Sequence, residues 1–160
     1  MVKEHTKLFV IGKFNDDLVE SFVSFLNDHS GPKHLLIDSV GGNLDAMNLI
    51  LSVINNDPDQ YKITAFSNVG SCSFDFLLRA RCERVVLDSA LAIVHLAGRD
   101  LHTKELKNPH SFDYWVKDLE EKYGEDLLTF YSDYLNKDEL ELVKHGKEVF
   151  LTAERLRTML

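Results

Sequence analysis

The stretch HLLIDSVGGNLDAMNLILSVINNDP, from His34 to Pro58, carries two hydrophobic periods in succession. His34 to Val40 is an apolar run of strand type, and Gly41-Gly42 then turns the chain. Leu44, Met47, Leu51 and Ile54 recur at helical spacing until Asp57-Pro58 ends the pattern. The same order of strand, turn and helix lies on either side. Upstream, Lys7 to Phe14 is β-rich, and Asn15 stands where it caps a helix whose Leu18, Phe22, Phe25 and Leu26 share one face. Downstream, YKITAFSNV from Tyr61 to Val69 reads as a strand, Gly70-Ser71 as its turn, and Phe74, Leu77 and Leu78 as a short apolar helix. Two short strands follow, RVVLD from Arg84 to Asp88 and LAIVHL from Leu91 to Leu96. Strands alternating with helices of this length predict an α/β fold with parallel strands joined by right-handed crossovers.

The later part changes character. His102 to His110 is polar and is expected to loop out. Ser111 to Leu135 reads as one long helix carrying Phe112, Trp115, Leu119, Tyr123, Leu127, Phe130, Tyr131 and Tyr134. That much aromatic surface fits packing on its own domain or a subunit interface. No Pro/Gly/Ser linker, low-complexity tract or repeat divides the 160 residues, so a single domain over 1–160 is expected. With 18 Lys+Arg against 26 Asp+Glu and a formal net charge of −8, the chain offers no basic footprint for nucleic acid or an anionic membrane. It has no apolar run of membrane-spanning length, and MVKEHTKLFV lacks the features of a signal peptide, so a cytoplasmic location is expected. The two cysteines, Cys72 and Cys82, have no disulfide or zinc spacing and read as free thiols; no metal and no cofactor is expected.

In parallel α/β proteins, ligands bind beyond the carboxyl ends of the strands. Three features converge there. Gly41-Gly42 leaves backbone N–H groups facing outward with no Cβ in the way. Cys72 opens the third helix, where the helix dipole favours a thiolate. His95 lies near the end of an apolar strand and, taken alone, reads first as a core histidine hydrogen-bonded to backbone.

Taken together, IDSVGGNLDAMNLI (37–50), SNVGSCSFDFLL (67–78) and VLDSALAIVH (86–95) resemble, in order and spacing, the proteolytic subunit of the Clp protease and its ClpP-like relatives in the crotonase-like superfamily. The resemblance implies a crotonase-type β-α spiral with a handle region over about residues 97–135, built around the long helix. Asp38-Ser39-Val40-Gly41-Gly42 stands where that family has Asn-Ser-Pro-Gly-Gly, part of its oxyanion hole. Phe76-Leu77-Leu78, matched to the end of Ser-Met-Gly-Ala-Phe-Leu-Leu, puts Cys72 at the nucleophile. Ala92-Ile93-Val94-His95 matches the strand that ends in the catalytic histidine, and Lys147 to Ala153 matches the segment that puts Glu148 at the family's third catalytic residue.

The resemblance thus implies a peptidase with Cys72, His95 and Glu148 as its catalytic set, and Gly41, Gly42 and Ser73 around the oxyanion. It also implies a homo-oligomeric ring and a peptide or unfolded-protein substrate. The departures are the serine replaced by Cys72, glycine by Phe74 and alanine by Asp75. Phe74 is expected to crowd the pocket, and Asp75 to stabilise a charged His95 or repel acidic substrate. Ser71 and Ser73 flank Cys72 and rank below it, because choosing either breaks the helix register at Phe76-Leu77-Leu78. With about six residues before the first strand, docking of an ATP-driven unfoldase is not expected. The alternative reading is a catalytically inactive ClpP-like scaffold or ring subunit; an enzyme acting on an acyl thioester ranks last, as no coenzyme A motif is present.

Overall fold

The computed structural model describes residues 7–96, His110, Tyr114, Lys117 and residues 127–160. The chain groups into two compact units, Met1–Val94 with Glu148–Leu160, and His95–Lys147.

The first unit is α/β. Strands β1 (Lys7–Ile11), β2 (Lys33–Ser39), β3 (Tyr61–Gly70), β4 (Glu83–Val86), β5 (Leu91–Val94) and β6 (Val149–Thr152) form one sheet, with helices α1 (Asp16–Asp28), α2 (Leu44–Asn56) and α3 (Cys72–Arg79) between the early strands. Along the sheet the order is β1-β2-β3-β5-β6. Every pairing from β1 to β5 is parallel, as the alternation of elements predicts, and β6 closes the edge antiparallel to β5. The long strand β3 changes partner along its length: Lys62–Ala65 pair with β4, and Asn68–Gly70 pair with β5.

The pleat decides what is buried. Leu35, Ile37, Ile63 and Ala65 are in register across β2 and β3 and are fully buried, with Ile11 beside Ile37 on β1. Phe9 shares that row and meets α1 through ring contacts with Phe22 at 5.4 Å and Phe25 at 5.0 Å. Leu8 and Val10 point the other way and stay exposed. α1 starts at the cap expected from the sequence, and α2 starts at a second asparagine cap. Asn15 Oδ1 accepts from Leu18 N at 2.9 Å, and Asn43 Oδ1 accepts from Asp45 N and Ala46 N. Either cap contributes about 1 kcal/mol. α2 then buries Ala46, Met47, Ile50, Leu51 and Ile54. Lys7 to Phe14 is strand only as far as Ile11; Phe14, fully buried, makes a separate bridge to Gly42.

The second unit contains α4 (Leu127–Ser132) and α5 (Lys137–Lys144) among its described residues. Asn136 and Glu139 form a capping box at the start of α5. Of the long helix expected over Ser111 to Leu135, Tyr114, Lys117 and α4 are helical. Its Phe112, Trp115, Leu119 and Tyr123 lie outside the described residues, as does most of the expected handle. His110, expected in the loop, is helical, and the remainder of that loop lies outside the described residues. The helix stops at Ser132, after which Asp133 N and Leu135 N turn back to Phe130 O and Tyr131 O. Phe130 and Tyr131 are buried. After β6 the chain ends in α6 (Ala153–Arg157), capped by Thr152. Among the described residues no helix is long and apolar enough to cross a membrane.

Candidate active site

The glycine turn is held from three sides. Phe14 N donates to Gly41 O at 3.0 Å, and Asn43 N donates to Phe14 O at 2.8 Å. This bridge brackets Gly42 and leaves its own N–H outside the bonding. Both glycines have positive φ, +100° at Gly41 and +141° at Gly42. A Cβ on Gly42 would lie 2.2 Å from Phe14 O, and one on Gly41 would lie 2.6 Å from the Cβ of Ser71. No other residue lets the turn come so close to both neighbours.

Ser71 joins β3 to α3 with φ 53° and ψ −130°. It is the single non-glycine residue at positive φ among the described residues. Its N–H donates to Ile93 O at 2.8 Å, and its carbonyl accepts from Phe74 N at 2.9 Å. Its side chain makes no helix-capping bond and is half-buried. A serine on a sharp, strained strand-to-helix turn is the arrangement that presents a nucleophilic hydroxyl. A Cβ on Gly41 would also fall 3.2 Å from Cys72 N, so the turn and the first amide of α3 face each other. At the first helical position that N–H has no acceptor within the helix.

Cys72 does open α3, as expected, but its thiol is not poised to ionise. It is 2% exposed, donates to Gly42 O with Sγ 3.6 Å away, and is pushed up to about 12, first by burial and then by the negative charge of Asp75. Burial outweighs the helix N-terminus here, which corrects the expected thiolate. Burial likewise pushes the Cys82 thiol up to about 11.

The remaining expected residues divide. Gly41 N is already taken by Ser39 Oγ at 3.1 Å, so of the two glycines it is Gly42 that has an amide to offer an oxyanion. Ser73 is fully buried, with its hydroxyl turned to Ser39 O and Gly70 O. Phe74 is fully buried in the core, where a pocket-crowding side chain would be open to solvent. Asp75, 2% exposed, acts on the Cys72 thiol. Glu148 is exposed and precedes β6. His95 is the first residue of the second unit, half-buried, with Nδ1 2.7 Å from Leu96 O. A carbonyl oxygen only accepts, so Nδ1 carries the proton and the neutral ring keeps its lone pair on Nε2.

No family model and no curated protein matches this chain. The chemistry must therefore be read from the residues themselves. Within the first unit, the Ser71 elbow and the first amide of α3 lie against the glycine turn, whose Gly42 N–H is not used within the fold. That set suits attack on a carbonyl with stabilisation of the resulting oxyanion. Matching side chains by letter at Phe76-Leu77-Leu78 ranks Ser71 below Cys72. The signal in its favour was the Gly70-Ser71 turn directly after a strand. Among the described residues no group of three or more His, Cys, Asp or Glu is arranged to hold a metal.

Proposed function

We propose that this chain is a ClpP-like peptide hydrolase with Ser71, rather than Cys72, as nucleophile. The observation that carries the reading is the strained backbone of Ser71, φ 53° and ψ −130°, packed against Gly41. Strain of this kind costs about 1–3 kcal/mol and persists where the surroundings enforce it, commonly at functional sites. The base in this proposal is His95, the residue that the resemblance of Ala92-Ile93-Val94-His95 assigns to that role.

In this mechanism His95 Nε2 takes the Ser71 proton as Oγ attacks the scissile carbonyl. The Cys72 and Gly42 amides receive the oxyanion, and His95 then protonates the leaving amine. Water, activated by the same histidine, hydrolyses the acyl-serine ester. The Leu96 carbonyl fixes the tautomer that a third catalytic carboxylate fixes in other triads, so Glu148 is not required for that purpose. The substrate class in this reading is a peptide or unfolded segment, acted on within a ring of identical chains.

A fluorophosphonate probe tests the reading. It should add to Ser71, and the adduct should survive Cys72→Ala and disappear in Ser71→Ala. A peptidase signal that persists in Ser71→Ala, or an adduct on Cys72, refutes the assignment. A wild-type chain that takes no probe and cleaves no peptide favours the inactive ring subunit, a reading that the replacement of glycine by the buried Phe74 supports.

A further inference from the structure

The parallel ladder between β2 and β3 breaks immediately before the glycine turn. Ile37 is opposite Ala65, yet Ser39, two residues on, is opposite Val69, four residues on. Three residues of β3 thus stand against the single Asp38, a slip of two, where the turn must be held most closely against the elbow, and the ladder alone does not fix the distance between them. Side chains make the connection. Asp38 Oδ1 accepts from Asn68 N and Nδ2 on the exposed side. On the buried side stands Ser73, fully enclosed, its hydroxyl 2.9 Å from Ser39 O and 2.7 Å from Gly70 O. Those two carbonyls belong to the two strands that the slip has separated. Ser39 Oγ in turn accepts from Gly41 N at 3.1 Å, so the connection runs from α3 through Ser39 into the turn itself.

We infer that Ser73 is a positioning residue, whose hydroxyl sets the glycine turn against the Ser71 elbow and so places the Gly42 amide for the oxyanion. The inference rests on the hydrolase reading above and adds a role that neither the nucleophile nor the base performs. A single hydroxyl proton shared between two carbonyls ties β2 to β3 without lengthening either strand, and in a dry site that bond has no water to replace it. A displacement of about 1 Å at such a donor costs about 100-fold in rate.

The test follows inactivation of the whole chain by the fluorophosphonate, with the limiting rate and the half-saturating concentration measured separately, together with amide hydrogen exchange. Ser73→Ala should lower the limiting rate by about 10- to 100-fold and leave the half-saturating concentration within about twofold, because the probe still reaches the same pocket. Ser73→Thr, which keeps the hydroxyl, should restore most of the rate. In Ser73→Ala, exchange should quicken at Gly41, whose N–H is bonded to Ser39 Oγ, and stay unchanged at Leu35 and Ile63 in the sheet core. The inference is overturned if Ser73→Ala reacts at the wild-type rate, if Ser73→Thr is as slow as Ser73→Ala, or if exchange quickens equally at Leu35 and Ile63. A wild-type chain that takes no probe overturns the hydrolase reading first, and this inference with it.

Discussion

Replacing Gly42 by alanine should be far more damaging than replacing either of two other glycines, for reasons that can be itemised. At φ +141° an L-residue is strained by about 1–3 kcal/mol. The new Cβ would sit 2.2 Å from Phe14 O and 2.9 Å from Phe14 N, and backbone cannot swing aside as a long side chain can. Relief requires Phe14 to move. That breaks both bonds bracketing Gly42, each contributing about 0.5–1.5 kcal/mol, and disturbs a fully buried ring that contacts Phe76 at 5.3 Å. The expected loss is about 3–5 kcal/mol. Gly146→Ala meets no atom within 4 Å and suffers only from φ +71°, so about 1 kcal/mol is expected. Gly12→Ala meets neither obstacle and should be neutral or slightly stabilising. Urea denaturation followed by circular dichroism reads these differences. With a slope of about 2 kcal/mol per molar urea, Gly42→Ala should lower the midpoint by about 2 M and Gly146→Ala by about 0.5 M. A midpoint for Gly42→Ala no lower than that of Gly146→Ala would refute the account of the turn.

Three further outcomes are expected. Cys72 ionises near 9.0 in a flexible chain and near 12 in the fold, so above pH 9 the unfolded state binds fewer protons and stability falls as pH rises. Between pH 8 and pH 10 the wild type should lose about 1.4 kcal/mol more than Cys72→Ala, and equal losses would reject the buried thiol; iodoacetamide at pH 7 should accordingly label the folded chain slowly, with no preference for Cys72 over Cys82. Glu148→Gln should keep peptidase activity within about tenfold, against the roughly 10⁴-fold loss seen when a triad carboxylate is neutralised; a loss of that larger size would restore Glu148 as the third catalytic residue. Light scattering at micromolar concentration should give a mass several times 18.3 kDa, and a monodisperse single chain would reject ring assembly.

What the sequence disclosed and what it hid differ in range. The strand-turn-helix units were legible because each depends on neighbours within a few residues: the cap at Asn15, the glycine pair after Val40, and the helical spacing of Met47, Leu51 and Ile54. The nucleophile proposed for this site is not legible in the same way. The positive φ of Ser71 answers to Ile93 O and to Gly41, which lie 22 and 30 residues away in the chain. A comparison of letters along α3 favours Cys72, whereas the backbone favours its predecessor. The raised pKa of Cys72 is hidden from the sequence for a related reason. A helix N-terminus can be read from sequence, but the enclosure of the thiol by packing and its proximity to Asp75 in a dry interior cannot. Glu148 was placed by a short motif, and the motif carries no statement about exposure.

The partner change along β3 bears on the order in which the chain can fold. Ser71 receives its conformation at the end of that strand, yet its N–H is held by Ile93 on β5, and β5 pairs only with the last three residues of β3. Each parallel pairing joins segments separated by a crossover, and loop closure makes such non-local pairs slow to form. The early pairs β1-β2 and β2-β3 can assemble while the distal end of β3 is still unpaired. The elbow cannot, because nothing before Leu91 supplies the acceptor for its N–H. A chain emerging from the ribosome therefore carries an unstrained Ser71 until β5 has been synthesised and docked, which delays the hydroxyl's presentation until the sheet that supports it is nearly complete.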